Sequence, residues 1–188
     1  MIISFTGAQS TGKSTLLNKC KEEFGDKFEY FPEITRQLKH TCKVNINENG
    51  DNLTQFLILA KHIENTLIAE ATEKPCIFDR CILDGLIYTM YLHFDKNKVD
   101  ELTLGLAIKI FNEYISRVNI IFYTDPKDVP LVRDGERSTD VLFRDRIINI
   151  FEWAIKEYNL KNVVRLSGSV EERMETIRET LKSKGIKL

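Results

Sequence analysis

The chain lacks a C-x-x-C pair: its four cysteines, Cys20, Cys42, Cys76 and Cys81, are scattered through the sequence. His40 and Cys42 lie close together, but no second ligand pair completes a zinc site. The expectation is four reduced thiols, mostly in or near the core, with no disulfide framework. Long apolar runs are missing too. A membrane span needs about 20 consecutive apolar residues, far more than any run here. There is no charge excess either, with a net charge of −1 and a pI near 6.3, whereas a dedicated nucleic-acid binder is usually basic overall. That leaves only a local basic surface open. No internal repeat, low-complexity tract or linker divides the 188 residues, so a single domain over 1–188 is expected. The first strand starts at Met1, which leaves no room for a signal or transit peptide and points to the cytoplasm.

What is present is concentrated in Gly7-Ala8-Gln9-Ser10-Thr11-Gly12-Lys13-Ser14-Thr15, which fits G-x-x-x-x-G-K-[ST] without a mismatch. Residues 1–6 read as a short buried strand and residues 16–20 as the start of a helix. The loop therefore lies where backbone N–H groups and a helix N-terminus can cradle a phosphate. Gly7 and Gly12 allow backbone angles and close approach that a side chain would block. Lys13 would reach the terminal phosphates and Ser14 would hold Mg²⁺. Gly7, Gln9, Ser10, Thr11, Gly12, Lys13, Ser14 and Thr15 are the expected ATP-binding set.

Further strands are expected at 28–31, 76–79, 118–124 and 163–166. Helices are expected at 33–38, 53–72, 82–93, 100–117, 139–158 and from 169 onward. Pro32 suits a first-turn position, and Ser169-x-x-Glu172 is a capping box. In 53–72 the apolar residues Leu53, Phe56, Leu57, Ala60, Ile63, Leu67, Ile68 and Ala71 recur at threes and fours and are read as the inward face. Leu102, Leu106, Ile110, Phe111, Tyr114 and Ile115 are read the same way in 100–117, as are Leu142, Phe143, Ile147, Ile150, Phe151, Ala154 and Ile155 in 139–158. Short apolar strands alternating with helices give an α/β class with a five-stranded parallel sheet covered on both faces.

Three groups of charged residues should gather at the carboxyl rim of that sheet. Asp79 ends its strand and is the best candidate for a metal-linked acid, with Arg80 next to it and Asp84 five residues on. Glu33 follows the second strand, where a carboxylate can accept a hydroxyl proton or bind a sugar. Arg36 is one helical turn on and suits an anionic group. The stretch around Arg133 and Arg137, within a charged segment of about 127–140, reads as a lid that brings arginines over a moving phosphoryl group. Arg144 and Arg146 are weaker candidates because they sit on the following helix. The segment of about 40–115 would build the acceptor side, where Phe56, His62, Tyr88, Tyr91 and His93 are available to stack on a base.

Taken together, the P-loop, Pro32-Glu33-x-x-Arg36, the strand ending Asp79-Arg80 and Asp134-Gly135-x-Arg137-Ser138 resemble the small P-loop kinases related to the nicotinamide riboside kinase domain, a group near the deoxynucleoside and nucleoside monophosphate kinases. The resemblance implies a three-layer P-loop NTPase fold with strand order 2-3-1-4-5. It also implies ATP with Mg²⁺ held by Ser14 and Asp79, and catalysis by Lys13, Asp79, Glu33, Arg133 and Arg137. Glu33, Arg36, Arg80 and Asp84 would bind the acceptor, with either Asp79 or Glu33 as the base. Cys81 departs from the deoxynucleoside kinase pattern, which has Ser there. The implied reaction is phosphoryl transfer to a nucleoside, nucleotide or nicotinamide-riboside-like acceptor. A hydroxymethylated base in DNA is an alternative acceptor, and a non-kinase ATPase switch an alternative activity; oligomeric state is left open. Asn97-Lys98-Val99-Asp100 matches the letters of a GTPase base-reading motif but precedes a helix, and Phe78-Asp79-Arg80 lacks the second acid of a motor ATPase.

Overall fold

Five short strands rich in Ile, Val, Phe and Tyr pair side by side and all run the same way: β1 (Ile2–Thr6), β2 (Glu29–Phe31), β3 (Cys76–Asp79), β4 (Val118–Thr124) and β5 (Val163–Leu166). Their order is β2-β3-β1-β4-β5. The computed structural model describes residues 1–42, 44–126 and 141–188. Register fixes what emerges where. Phe5 pairs with Asp79 and Phe31 with Phe78, so the ends of β1, β2 and β3 reach one rim together. Thr6 pairs with Tyr123, which brings the end of β4 to the same edge.

Helices α1 (Lys13–Phe24) and α7 (Val170–Ser183) cover one face of the sheet. Ile3, Phe5, Ile120 and Phe122 there meet Leu16, Leu17, Cys20, Ile177 and Leu181, all nearly inaccessible to solvent. The other face carries α4 (Ile82–Phe94), α5 (Glu101–Tyr114) and α6 (Val141–Glu157), with Phe78, Ile121 and Tyr123 against Leu83, Leu86, Phe111, Phe143 and Phe151. Two helices, α2 (Ile34–Thr41) and α3 (Asn52–Glu70), extend from the rim beside β2 and α4. Alternate residues of each strand feed opposite cores, the pattern of a parallel sheet sandwiched by helices. All four cysteines are free, with Cys42 alone exposed. Among the described residues no helix is long and apolar enough to cross a membrane.

The helical faces correct three expectations. Leu53, Phe56, Leu67 and Ile68 of α3 are exposed, as are Ala60 and Ala71 at its end. The buried face is the polar one, with Thr54, Gln55, His62, Asn65 and Thr66 beside Ile58 and Leu59. Periodicity detects an amphipathic helix but assumes that the apolar side faces inward, and here α3 turns its polar side to α4 and to a cavity. In α5, Leu102 and Leu106 are exposed while Thr103, Leu104, Ala107 and Phe111 are buried. In α6, Leu142 is 80% exposed, whereas Phe143, Ile147, Ile150, Phe151 and Ala154 are buried as expected. A smaller correction concerns Pro32. It precedes the first helical turn, because Glu33 is the N-cap of α2 with φ −56° and ψ 123°.

Candidate active site

The P-loop leaves β1 at Gly7, whose φ of +130° is open only to glycine at low cost. A Cβ there would come 2.7 Å from the Thr124 hydroxyl oxygen. That hydroxyl donates to the Thr6 carbonyl (3.0 Å) and lies 2.6 Å from the Thr11 hydroxyl, so the end of β4 braces the loop from behind. Gly12, at φ +88°, opens α1. Lys13 Nζ donates to the carbonyls of Gly7 (2.8 Å) and Ala8 (2.5 Å) inside the loop. Burial, followed by the nearby Arg80 charge, lowers the Lys13 pKa to about 7. The Gln9 amide nitrogen and oxygen and the Ser10 hydroxyl are buried without a hydrogen-bond partner. Buried polar atoms are rarely left so, and a ring of them around a P-loop suits a bound phosphate. Ser14 lines the same cavity, and Thr15 is exposed beside it.

At the end of β3, Arg80 takes φ +80°, a strained conformation for a residue with a side chain. Its backbone N–H is held by the Phe5 carbonyl at 2.9 Å. Its guanidinium gives Nε to Glu33 Oε1 (2.9 Å) and Nη1 to Asp84 Oδ1 (3.0 Å), with the Gly7 carbonyl 3.4 Å away. Glu33 also takes Arg36 Nε at 3.1 Å. Burial alone would raise the Glu33 pKa, but Arg80, Lys13 and Arg36 outweigh it and hold the carboxyl at about 2. Asp84, 2% exposed, also receives the Thr6 hydroxyl (2.7 Å) and the Cys81 N–H (3.1 Å). It acts as a bracket between β1, Arg80 and the start of α4. Asp79 differs from both. It is 6% exposed and has no hydrogen-bond partner among the described residues, and burial, then Glu33, push its pKa up.

Two cavities meet here. One, of about 530 Å³, is lined by the P-loop residues Gln9, Ser10, Lys13 and Ser14 together with Asp79 and Arg36. The other, of about 480 Å³, is lined by Ile34, Gln55, Ile58, His62, Gly85 and Tyr88, with Asp84 at its edge. Glu33, Thr35, Asn47 and Arg80 line both. The rim thus gathers Lys13, Ser14, Glu33, Arg36, Asp79, Arg80 and Asp84 as expected. Arg133 and Arg137, with the proposed lid of 127–140, lie outside the described residues. Arg144 donates to the Pro126 carbonyl at 3.2 Å, and Arg146 pairs with Asp95 at 2.7 Å on the surface. Of the aromatic candidates, only His62 and Tyr88 line a cavity at this rim. Tyr91 is buried against Phe143, His93 meets the Val99 carbonyl and Phe56 is exposed.

One residue that sequence reasoning missed is Arg173, on α7 and 2% exposed. It donates to the Thr11 carbonyl (2.9 Å), the Gly168 carbonyl (2.9 Å) and the Asp125 carbonyl (3.3 Å). One guanidinium therefore ties together the loops that follow β1, β5 and β4. Its partners are backbone carbonyls, which carry no sequence signature. No group of three or more His, Cys, Asp or Glu able to hold a metal occurs among the described residues. A Mg²⁺ bound mainly through nucleotide phosphates and water needs only one or two protein oxygens, and Ser14 and Asp79 in one cavity suit that donor set.

A family model described as an AAA domain matches residues 2–173. The chain belongs to that family. No curated protein matches it. Among solved structures, this AAA-domain chain is similar to a deoxyadenosine kinase from M. mycoides with the products dCMP and dCDP bound. That likeness has a TM-score of 0.69 at 19% identity and covers 97% of this chain and 100% of that one. It is also similar to NadR in complex with nicotinamide riboside (NR), with a TM-score of 0.72 at 15% identity. NadR with NAD and AMP-PNP gives 0.70 at 14%. Here the chain is covered fully but spans only about half of the NadR length, 52% and 50% respectively. At these identities the likeness is one of fold, the α/β P-loop fold shared with that deoxyadenosine kinase and with NadR.

Proposed function

We propose that the protein transfers the terminal phosphoryl group of ATP to a hydroxyl of a small nucleoside-like acceptor. The observation that carries this reading is the Glu33–Arg80 pair at the junction of the two cavities, one built around the P-loop and the other lined by residues of α2, α3 and α4. A hydrolytic site needs no second cavity of this kind. The structural neighbours support the same reading, one being a deoxyadenosine kinase and another a protein in complex with nicotinamide riboside. A cleft of about 480 Å³ lined by three helices has the size of a small-molecule site, and a free small acceptor is the reading taken over a base within DNA.

In this reading Lys13, the loop N–H groups and the α1 N-terminus hold the ATP phosphates. Ser14 and Asp79 would hold Mg²⁺ brought with the nucleotide, which would supply charge neutralisation to the polyphosphate. The acceptor oxygen forms the new P–O bond as the bond to the ADP oxygen breaks, and its proton passes to Glu33. Basicity argues for Asp79 as the base, since its pKa is raised while that of Glu33 is lowered. Position argues for Glu33, because it lines both cavities and Asp79 only the P-loop one. We give position the greater weight. Phosphoryl transfer passes through a loose transition state in which the acceptor proton leaves late, so reach matters more than basicity. Arg80 and Arg36 orient Glu33, Asp84 fixes Arg80, and Arg133 and Arg137 would supply a closing lid. Such a reaction fits the cytoplasm.

A second reading follows from the family description itself: an ATPase domain that cycles without a small acceptor. Labelled ATP offered with nucleosides, nucleotides, nicotinamide riboside and hydroxymethylated DNA separates the two. Label in a small acceptor supports the kinase; ATP hydrolysis with no labelled acceptor overturns it.

A further inference from the structure

The cavity beyond Glu33 holds polar groups that the proposed transfer does not use. His62 sits two turns along α3 from Gln55 and is 3% exposed. Its ring nitrogens have no hydrogen-bond partner among the described residues, yet the ring lines the cavity. Gly85 on the facing helix makes room for it, since a Cβ there would lie 3.3 Å from His62 Cδ2 and 3.2 Å from Leu59 Cδ2. Gln55, 2% exposed, receives the Thr89 hydroxyl on Oε1 at 2.9 Å, which fixes the amide. Its Nε2 donates to no described residue. Two polar side chains on one wall therefore present hydrogen-bonding atoms to the cavity that no described protein group takes up, leaving them available to a bound ring. Ile34, Ile58 and the Tyr88 ring supply apolar surface around them.

The charges around the cavity restrict what those groups can bind. Its carboxylates are Glu33 and Asp84. Glu33 is engaged by Arg80 and Arg36, and Asp84 by Arg80, Thr6 and the Cys81 N–H. Asp79 does not line it. A cationic ring placed there would be desolvated beside a guanidinium with no uncommitted carboxylate to balance it, which is costly. Burial, then the Arg80 charge, also keep the His62 imidazole uncharged.

We propose that His62, with Gln55, determines acceptor specificity by hydrogen-bonding the edge of an uncharged heteroaromatic ring, so that the site takes neutral nucleosides in preference to pyridinium ribosides. This rests on the kinase reading for its turnover arm, but not for its binding arm.

The test uses the full chain in two ways. Isothermal titration measures binding of adenosine, deoxycytidine and nicotinamide riboside to wild type, His62→Leu and His62→Gln in the presence of AMP-PNP. Steady-state kinetics with ATP measures kcat and KM for the same acceptors. The inference expects at least one neutral nucleoside to bind more tightly than nicotinamide riboside. Loss of the His62 hydrogen bond in His62→Leu should weaken neutral-nucleoside binding about tenfold, through KM, with little change in KM for ATP. His62→Gln should recover part of it. Tighter binding of nicotinamide riboside than of every neutral nucleoside, or equal nucleoside affinity in wild type and a folded His62→Leu, overturns the inference. So does a His62→Gln protein no better than His62→Leu. If no acceptor is phosphorylated, the kinase reading fails while the binding measurements still decide the role of His62.

Discussion

Glu33 and Arg80, 47 residues apart in sequence, are joined at 2.9 Å where the P-loop cavity opens into the second cavity. Arg80 reaches that position only by adopting φ +80°, with its backbone pinned to Phe5 and its guanidinium shared with Asp84. The pair forms the boundary between the two halves of the proposed site. In the proposed reaction Glu33 takes the acceptor proton, so in Glu33→Gln kcat should fall about 100-fold or more while ATP affinity is kept. Arg80→Lys keeps the charge but cannot span Glu33 and Asp84 together, so kcat should fall there as well. Stopped-time product assays with ATP titrations check both; unchanged kcat in Glu33→Gln removes Glu33 from the chemistry.

Lys13 gives a prediction about protons. Its pKa in the free protein is lowered to about 7, chiefly by burial, so at pH 8 the amine is mostly neutral. Polyphosphate at the loop favours the ammonium form, and ATP binding at pH 8 should therefore take up close to one proton, a figure of about 0.5–1. At pH 6 Lys13 is already charged and this uptake should vanish. Titration calorimetry in buffers of different ionisation enthalpy measures it, with Lys13→Met as the control. Equal uptake at both pH values, or in the variant, contradicts the assignment.

The pKa of His62 sets a dependence of stability on acid. It falls to about 3 in the folded chain, against an ordinary value of 6.5. Between those values the unfolded chain binds the proton and the folded chain does not, so stability is lost as pH drops through this window. The slope is about 1.4 kcal/mol per pH unit for one such group. From pH 6.5 to 5, wild type should lose about 1.6 kcal/mol more than His62→Gln by urea unfolding, the slope approaching its full value only below the unfolded pKa. The range stops at pH 5 because Glu33, with its pKa lowered to about 2, loses its own contribution only below the usual carboxylate value. Parallel losses in the two proteins rule the effect out.

Arg173 tests whether the last helix serves the P-loop. Arg173→Met removes donors from three carbonyls and should cost roughly 2–4 kcal/mol of stability. If the contact to Thr11 positions the loop, ATP affinity should also weaken at a temperature where the variant is fully folded, with acceptor KM little changed. Arg173→Lys should restore part of the ATP affinity. Lower stability with unaltered ATP binding would leave Arg173 a structural strut only.

The parts of this molecule that were legible in its sequence are those with local rules. The P-loop is a contiguous motif, the strands are short apolar runs, and the Ser169–Glu172 capping box forms as read. Asp79 and Glu33 were readable because residues that follow parallel strands emerge on one rim. Other features depend on tertiary context. The exposed Leu53 and Phe56 and the buried Gln55 and His62 reverse the ordinary burial preference, because α3 places its polar side on a cavity. Arg173 acts on backbone carbonyls up to 162 residues away, and no side-chain pattern records such a contact. The commitment of Glu33 to Arg80 could not be read from either position alone.

The most direct test is acceptor-dependent ADP release, followed together with label transfer from γ-labelled ATP. The account predicts that a nucleoside-like acceptor accelerates ADP release, that the label appears on the acceptor hydroxyl in equal amount, and that Glu33→Gln loses both. ADP release at the same rate with and without every acceptor, with all label recovered as inorganic phosphate, would contradict it.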